Sequence, residues 1–143
     1  WIKRGGTGTS DAIYGLGNCS NYKYQAFYIL SDNTIRADFG NQTDNGYRTL
    51  TTTNTLTDTT SWHHIVATYN AGTIAVYVDG VSWAGTYGGA WTGAVVAETT
   101  YLRIGGLWNG ANVALFNGLI DDVRIYNRAL SAEEILQHYN KTK

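Results

Sequence analysis

The chain has 143 residues, a formal net charge of −1 and only 15% charged residues, so it offers no basic face for nucleic acid or an anionic membrane. A composition that is 43% hydrophobic and 13% aromatic excludes intrinsic disorder, and no run nears the roughly 18 apolar residues of a membrane span. The length suits one domain, and the single cysteine, Cys19, rules out an internal disulfide or a cysteine zinc site.

Apolar residues alternate along most of the chain, the period of half-buried strands. Residues 12–17, 24–30 and 34–39 are predicted strands, the last two joined by a Ser31-Asp32-Asn33 turn. Residues 47–53 are rich in Thr, which predicts an exposed or edge strand. Residues 62–69, 73–78 and 81–83 form a meander, turning at Asn70-Ala71-Gly72 and again at Asp79-Gly80, a strong short hairpin signal. Residues 101–105 and 119–126 complete the set. One helix follows: Ser131 stands at its N-cap with Glu134 three residues on, a capping box, and Ile135, Leu136 and Tyr139 form a short apolar side. So short a helix needs tertiary packing, as a plug on one end of a sandwich. Strands at this spacing, broken by Gly and Asn, predict an all-β sandwich or barrel.

Several segments in order carry a resemblance. They are Trp62-His63-His64-Ile65-Val66-Ala67-Thr68-Tyr69, Ile74-Ala75-Val76-Tyr77-Val78-Asp79-Gly80, and Leu102-Arg103-Ile104-Gly105-Gly106. The most specific is Asp122-Val123-Arg124-Ile125-Tyr126-Asn127-Arg128-Ala129-Leu130-Ser131. Together they resemble the laminin-G-like, concanavalin A-like jelly-roll domains of bacterial and phage extracellular proteins. The resemblance implies an antiparallel two-sheet jelly-roll sandwich with one short C-terminal helix, a single domain over residues 1–143, and Trp62 packed inside. It also implies that the domain lacks its first N-terminal strand or strands, because Trp1 to Arg4 matches the end of an early strand. The abrupt start at Trp1, without Met, reads the same way.

Catalytic chemistry finds little support. A glycosidase needs two carboxylates facing each other across a cleft, whereas Glu98 is isolated and Glu133 and Glu134 belong to the helix cap. Adjacent Asp121 and Asp122 diverge on a strand, as do His63 and His64. The chain is therefore expected not to be an enzyme. Trp83, Tyr87, Trp91 and Trp108 lie in or beside Gly-rich loops, where flat rings can stack on a sugar while Asn109 and Asn112 bond its hydroxyls. The same rings could instead cap the sandwich ends as core. The resemblance places Asp121 near a structural Ca²⁺ or in a tight polar contact with the N-terminal strand; a plain backbone hydrogen bond at a sheet edge is the competing reading. Arg124 and Arg128 read as surface ion pairs. The expected role is a non-catalytic binding or adhesion domain, extracellular or at the cell surface, that recognises a glycan or other cell-surface ligand. The alternative is a structural subunit of a filament, pilus or phage particle, completed by a strand from a neighbouring chain or an N-terminal segment.

Overall fold

A computed structural model describes residues 1–18, 23–40, 46–95, 102–108 and 113–142. Period-two alternation becomes strand almost wherever it occurs. The strands are β1 (Ile2–Arg4), β2 (Asp11–Asn18), β3 (Lys23–Ile29), β4 (Thr34–Gly40), β5 (Tyr47–Thr55), β6 (Ile65–Asn70) and β7 (Thr73–Val78). They continue with β8 (Val81–Trp83), β9 (Gly85–Gly88), β10 (Leu102–Ile104), β11 (Gly106–Trp108), β12 (Val113–Leu115) and β13 (Gly118–Ile120). The helix α1 (Ala132–Thr142) closes the chain.

Two layers enclose the core. One is a six-stranded antiparallel sheet in the order β10-β2-β3-β4-β5-β9; the other holds the β6-β7-β8 meander beside the β1-β13 pair. A two-way bridge between Ile2 and His63 joins β1 to the stretch leading into β6. Phe27, Ile29, Ile35 and Leu50 of the first layer meet Ile2, Ile74, Val76 and Val78 of the second in one apolar cluster. The β11-β12 hairpin approaches β2 so closely that a Cβ on Gly15 would sit 2.8 Å from the Gly106 carbonyl oxygen, leaving room for nothing larger than glycine there.

The turns follow their chemistry. Asp79 (φ 52°) and Gly80 (φ 79°) are both left-handed and link Val78 to its partner Val81, as a type I′ hairpin requires. At α1 the expected box is made: Ser131 N–H donates to Glu134 Oε2 at 2.9 Å, and Glu134 N–H donates to Ser131 Oγ at 3.3 Å. Ile135 is fully buried, while Leu136 and Tyr139 lie over Gly80. The helix is thus the plug that its sequence foretells.

Three expectations are corrected. Residues 47–55 are not an edge strand, since β5 pairs with β4 on one side and β9 on the other. Its threonines tolerate burial because their hydroxyls find partners. Thr52 Oγ1 accepts from the Ile35 N–H at 2.9 Å and donates to the Asn54 carbonyl at 2.8 Å. Trp62 is not inside either: it is 40% exposed, because the bridge to Ile2 turns its neighbour His63 toward the Asp58 and Asp79 carboxylates. Finally, β13 ends at Ile120, and residues 121–130 form no strand although their sequence alternates.

Candidate functional site

The four predicted aromatic residues do not form one platform. Trp83 on β8 pairs with Val76 and packs against the core cluster. Tyr87 on β9 is 40% exposed; its hydroxyl donates to the Ile74 carbonyl at 2.7 Å, and its ring lies 4.1 Å from the Arg48 guanidinium carbon. Trp91 stacks on Tyr69 with centroids 5.7 Å apart and planes 14° from parallel. Trp108 ends β11, beside β2. From β2 to β9 is four strand steps, about 19 Å at the usual interstrand spacing, so Trp108 stands apart from Tyr87. Asn109 and Asn112 lie outside the described residues.

Tyr87 and Trp91 share one end of the sandwich, and the turns there hold them. The Trp91 N–H donates to the Tyr47 carbonyl at 3.3 Å. Arg48 donates from Nε to the Gly72 carbonyl at 3.1 Å and from Nη1 to the Gly89 carbonyl. Tyr69 donates to the Gly93 carbonyl at 2.6 Å and stands against Phe39, 4.8 Å between centroids. Gly46 presses on the indole so tightly that a Cβ there would lie 2.5 Å from Trp91 Cδ1. Tyr47, 38% exposed, opens β5 at this end, but the register that sets Leu50 against Tyr87 turns the Tyr47 side chain to the opposite face of the sheet.

Asp121 meets the N-terminal strand through its main chain, as hydrogen bonds at a sheet edge. Its N–H donates to the Trp1 carbonyl at 2.9 Å, and its Oδ1 accepts the Asp122 N–H at 2.7 Å. Calcium takes six to eight oxygens. The nearest carboxylate, Asp122, is forked by Arg124 at 2.9 Å through both oxygens. Among the described residues no group of three or more His, Cys, Asp or Glu side chains comes together.

The other charged groups pair locally. Arg128 forks Glu134 at 2.6 and 2.8 Å, and this hydrogen bonding holds the Glu134 carboxyl at about 2. Asp38 accepts from Tyr28 at 2.7 Å and Arg36 at 2.7 Å; burial and that carboxylate push the Tyr28 phenol well above its ordinary value. Arg4 donates to Asp11 at 3.1 Å, with both side chains sealed from solvent, and also to Asn33 at 2.9 Å. No sequence pattern announced that buried pair.

A further concavity lies elsewhere. A groove of about 970 Å³ runs between the inner face of the six-stranded sheet, the outer edge of β6 and residues 122–130. Tyr14, Phe27 and Phe39 form its floor.

These features belong to a known family. A family model described as the concanavalin A-like lectin/glucanases superfamily, laminin G type, matches residues 1–136, and the chain belongs to that family. Among solved structures it is similar to an S-layer domain-containing protein (residues 221–444) from Clostridium thermocellum. That likeness has a TM-score of 0.47 at 25% identity and covers 97% of this chain and 66% of the other. No curated protein matches. Among the described residues, no helix is long and apolar enough to cross a membrane.

Proposed function

We propose that the chain is a non-catalytic binding domain of an extracellular or cell-surface protein, and that it takes carbohydrate at the aromatic end that carries Tyr87 and Trp91. The observation that carries this reading is the fixed Trp91 indole, stacked on Tyr69 at the end of the sandwich where Tyr87 is 40% exposed. A ring held this way loses little freedom when a sugar ring settles on it, and Arg48 beside Tyr87 offers charge-assisted donors to hydroxyls. Membership of a superfamily described by its lectins and glucanases agrees with such a ligand. The lectin side is favoured because four of the described carboxylates are held in local pairs: Asp58 and Asp79 by His63, Asp122 by Arg124, Glu134 by Arg128.

A glycan array tests the reading. Tyr87→Ala and Trp91→Ala are expected to weaken the best-bound glycan about tenfold each, near 1.4 kcal/mol, measured at a temperature where both variants remain folded. Unchanged binding in both variants would sink the aromatic site, and release of sugar from the bound glycan would overturn the non-catalytic assignment.

A further inference from the structure

Arg48 differs from four other arginines of the chain. Arg4, Arg36, Arg124 and Arg128 each hold a carboxylate, respectively Asp11, Asp38, Asp122 and Glu134. Among the described residues Arg48 holds none. Its acceptors are two main-chain carbonyls, that of Gly72 at 3.1 Å from Nε and that of Gly89 from Nη1. A guanidinium carries five N–H donors in one plane, so three remain after those two bonds.

Those donors stand at the aromatic end. Leu50 opposes Tyr87 in the β5-β9 register, and Arg48, two residues from Leu50, shares that face. The guanidinium carbon lies 4.1 Å from the centre of the Tyr87 ring. Two bonds run side by side to the segment that carries Trp91: Arg48 to the Gly89 carbonyl, and the Trp91 N–H to the carbonyl of Tyr47. Burial pushes the Tyr69 phenol up, and the Arg48 cation is near enough to oppose that push. Trp91 stacks on the same Tyr69 ring. A fixed indole and a half-used cation therefore occupy one small region.

Carbonyl oxygens and a ring face orient the cation without cancelling its charge. We infer that the sugar taken at this end is acidic: Arg48 receives its carboxylate through the remaining guanidinium donors while the sugar ring rests on Trp91. A planar carboxylate fits the guanidinium fork, and the bond is charge-assisted on both sides. The inference rests on the carbohydrate reading above and deepens it to sugars of the uronate or sialate type. Arg48 also ties β5 to two turns. That role alone would make the charge of the ligand irrelevant, so ligand charge is what the experiment varies.

Paired glycans test it: oligosaccharides bearing glucuronate, galacturonate or sialate, each spotted beside the same glycan with its carboxylate converted to the neutral methylamide. The unaltered 143-residue chain is expected to bind the acid form about tenfold more tightly or better, by a ratio that shrinks as salt rises. In Arg48→Met the ratio should fall to within about twofold, while Arg48→Lys keeps the charge without the fork and retains part of it. Equal binding of acid and amide forms by the unaltered chain would overturn the inference, whether or not Arg48→Met folds. An unchanged ratio in folded Arg48→Met would overturn it too. Sulfated glycans without a carboxylate, if bound as tightly as the acids, would overturn the carboxylate as the recognised group. Neutral glycans bound through Trp91 with no preference for acid would leave the carbohydrate site standing without this inference, whereas an array on which nothing binds would overturn both.

Discussion

β6 and β7 are neighbours with similar sequences and different fates. Both alternate apolar and mixed residues, and they pair along their whole length. Yet Ile74, Val76 and Val78 of β7 are buried, Val76 completely, while Ile65, Ala67 and Tyr69 of β6 remain half-exposed. The difference lies in what flanks each strand. β7 has β6 and β8 at its two edges and the six-stranded sheet beneath it; β6 has β7 on one edge and the groove on the other. Alternation makes a strand, but burial depends on neighbours contributed by distant parts of the chain.

That contrast can be broken or sharpened by substitution. The largest effect is expected on the closed side, at the sealed Arg4–Asp11 pair. Arg4→Met leaves the Asp11 carboxylate buried with only Thr9 as its hydrogen-bond donor at 2.9 Å, and should cost about 3–5 kcal/mol in urea unfolding. Ile74→Ala should cost about 2–5 kcal/mol. Ile65→Ala, made on the half-exposed neighbouring strand opposite Val78, should cost less than half as much. Equal losses would show that β6 is as well packed as β7.

Smaller effects belong to the open side. Ser131→Ala removes the cap of the helix that plugs it and should cost about 1 kcal/mol in the same assay. His64 lines the groove, and burial lowers its pKa below 6.5. The unfolded chain gains a proton near pH 6.5 and the folded chain resists it, so stability should fall as pH drops through that value. In His64→Gln the decline between pH 7 and 5 should be shallower; an unchanged pH profile would remove His64 as its source. Least of all, Ile125→Thr should shift stability by no more than about 0.5 kcal/mol, because the side chain has no closed surroundings to lose.

Much of this could be read locally. Asp79-Gly80 specified its hairpin because the turn needs two left-handed residues, and Ser131 with Glu134 specified the start of α1 because their mutual bonds span only three residues. The strand at β5 was legible; its interior position was not, since nothing near Thr49 or Thr52 reveals that Gly85–Gly88 will pair beside them. At the candidate site, Tyr87 and Trp91 were legible as loop aromatics. Arg48 was not, because it reaches the Tyr87 ring only through the pairing of β5 with β9. Trp83 was misgrouped for the same reason: a Gly-rich setting resembles an exposed loop, and only its pairing with Val76 shows it against the core.

By itself, then, the sequence determined the all-β class, most of the strands, the two tight hairpins and the capped helix, all set by interactions within a few residues. Only the tertiary structure decided which strands became interior, how Arg4 found Asp11, which aromatic residues share an end, and that residues 121–126 form no strand beside the groove. Those outcomes require partners far apart in the chain, and a strand-forming pattern cannot encode whether its hydrogen-bonding partner will be there.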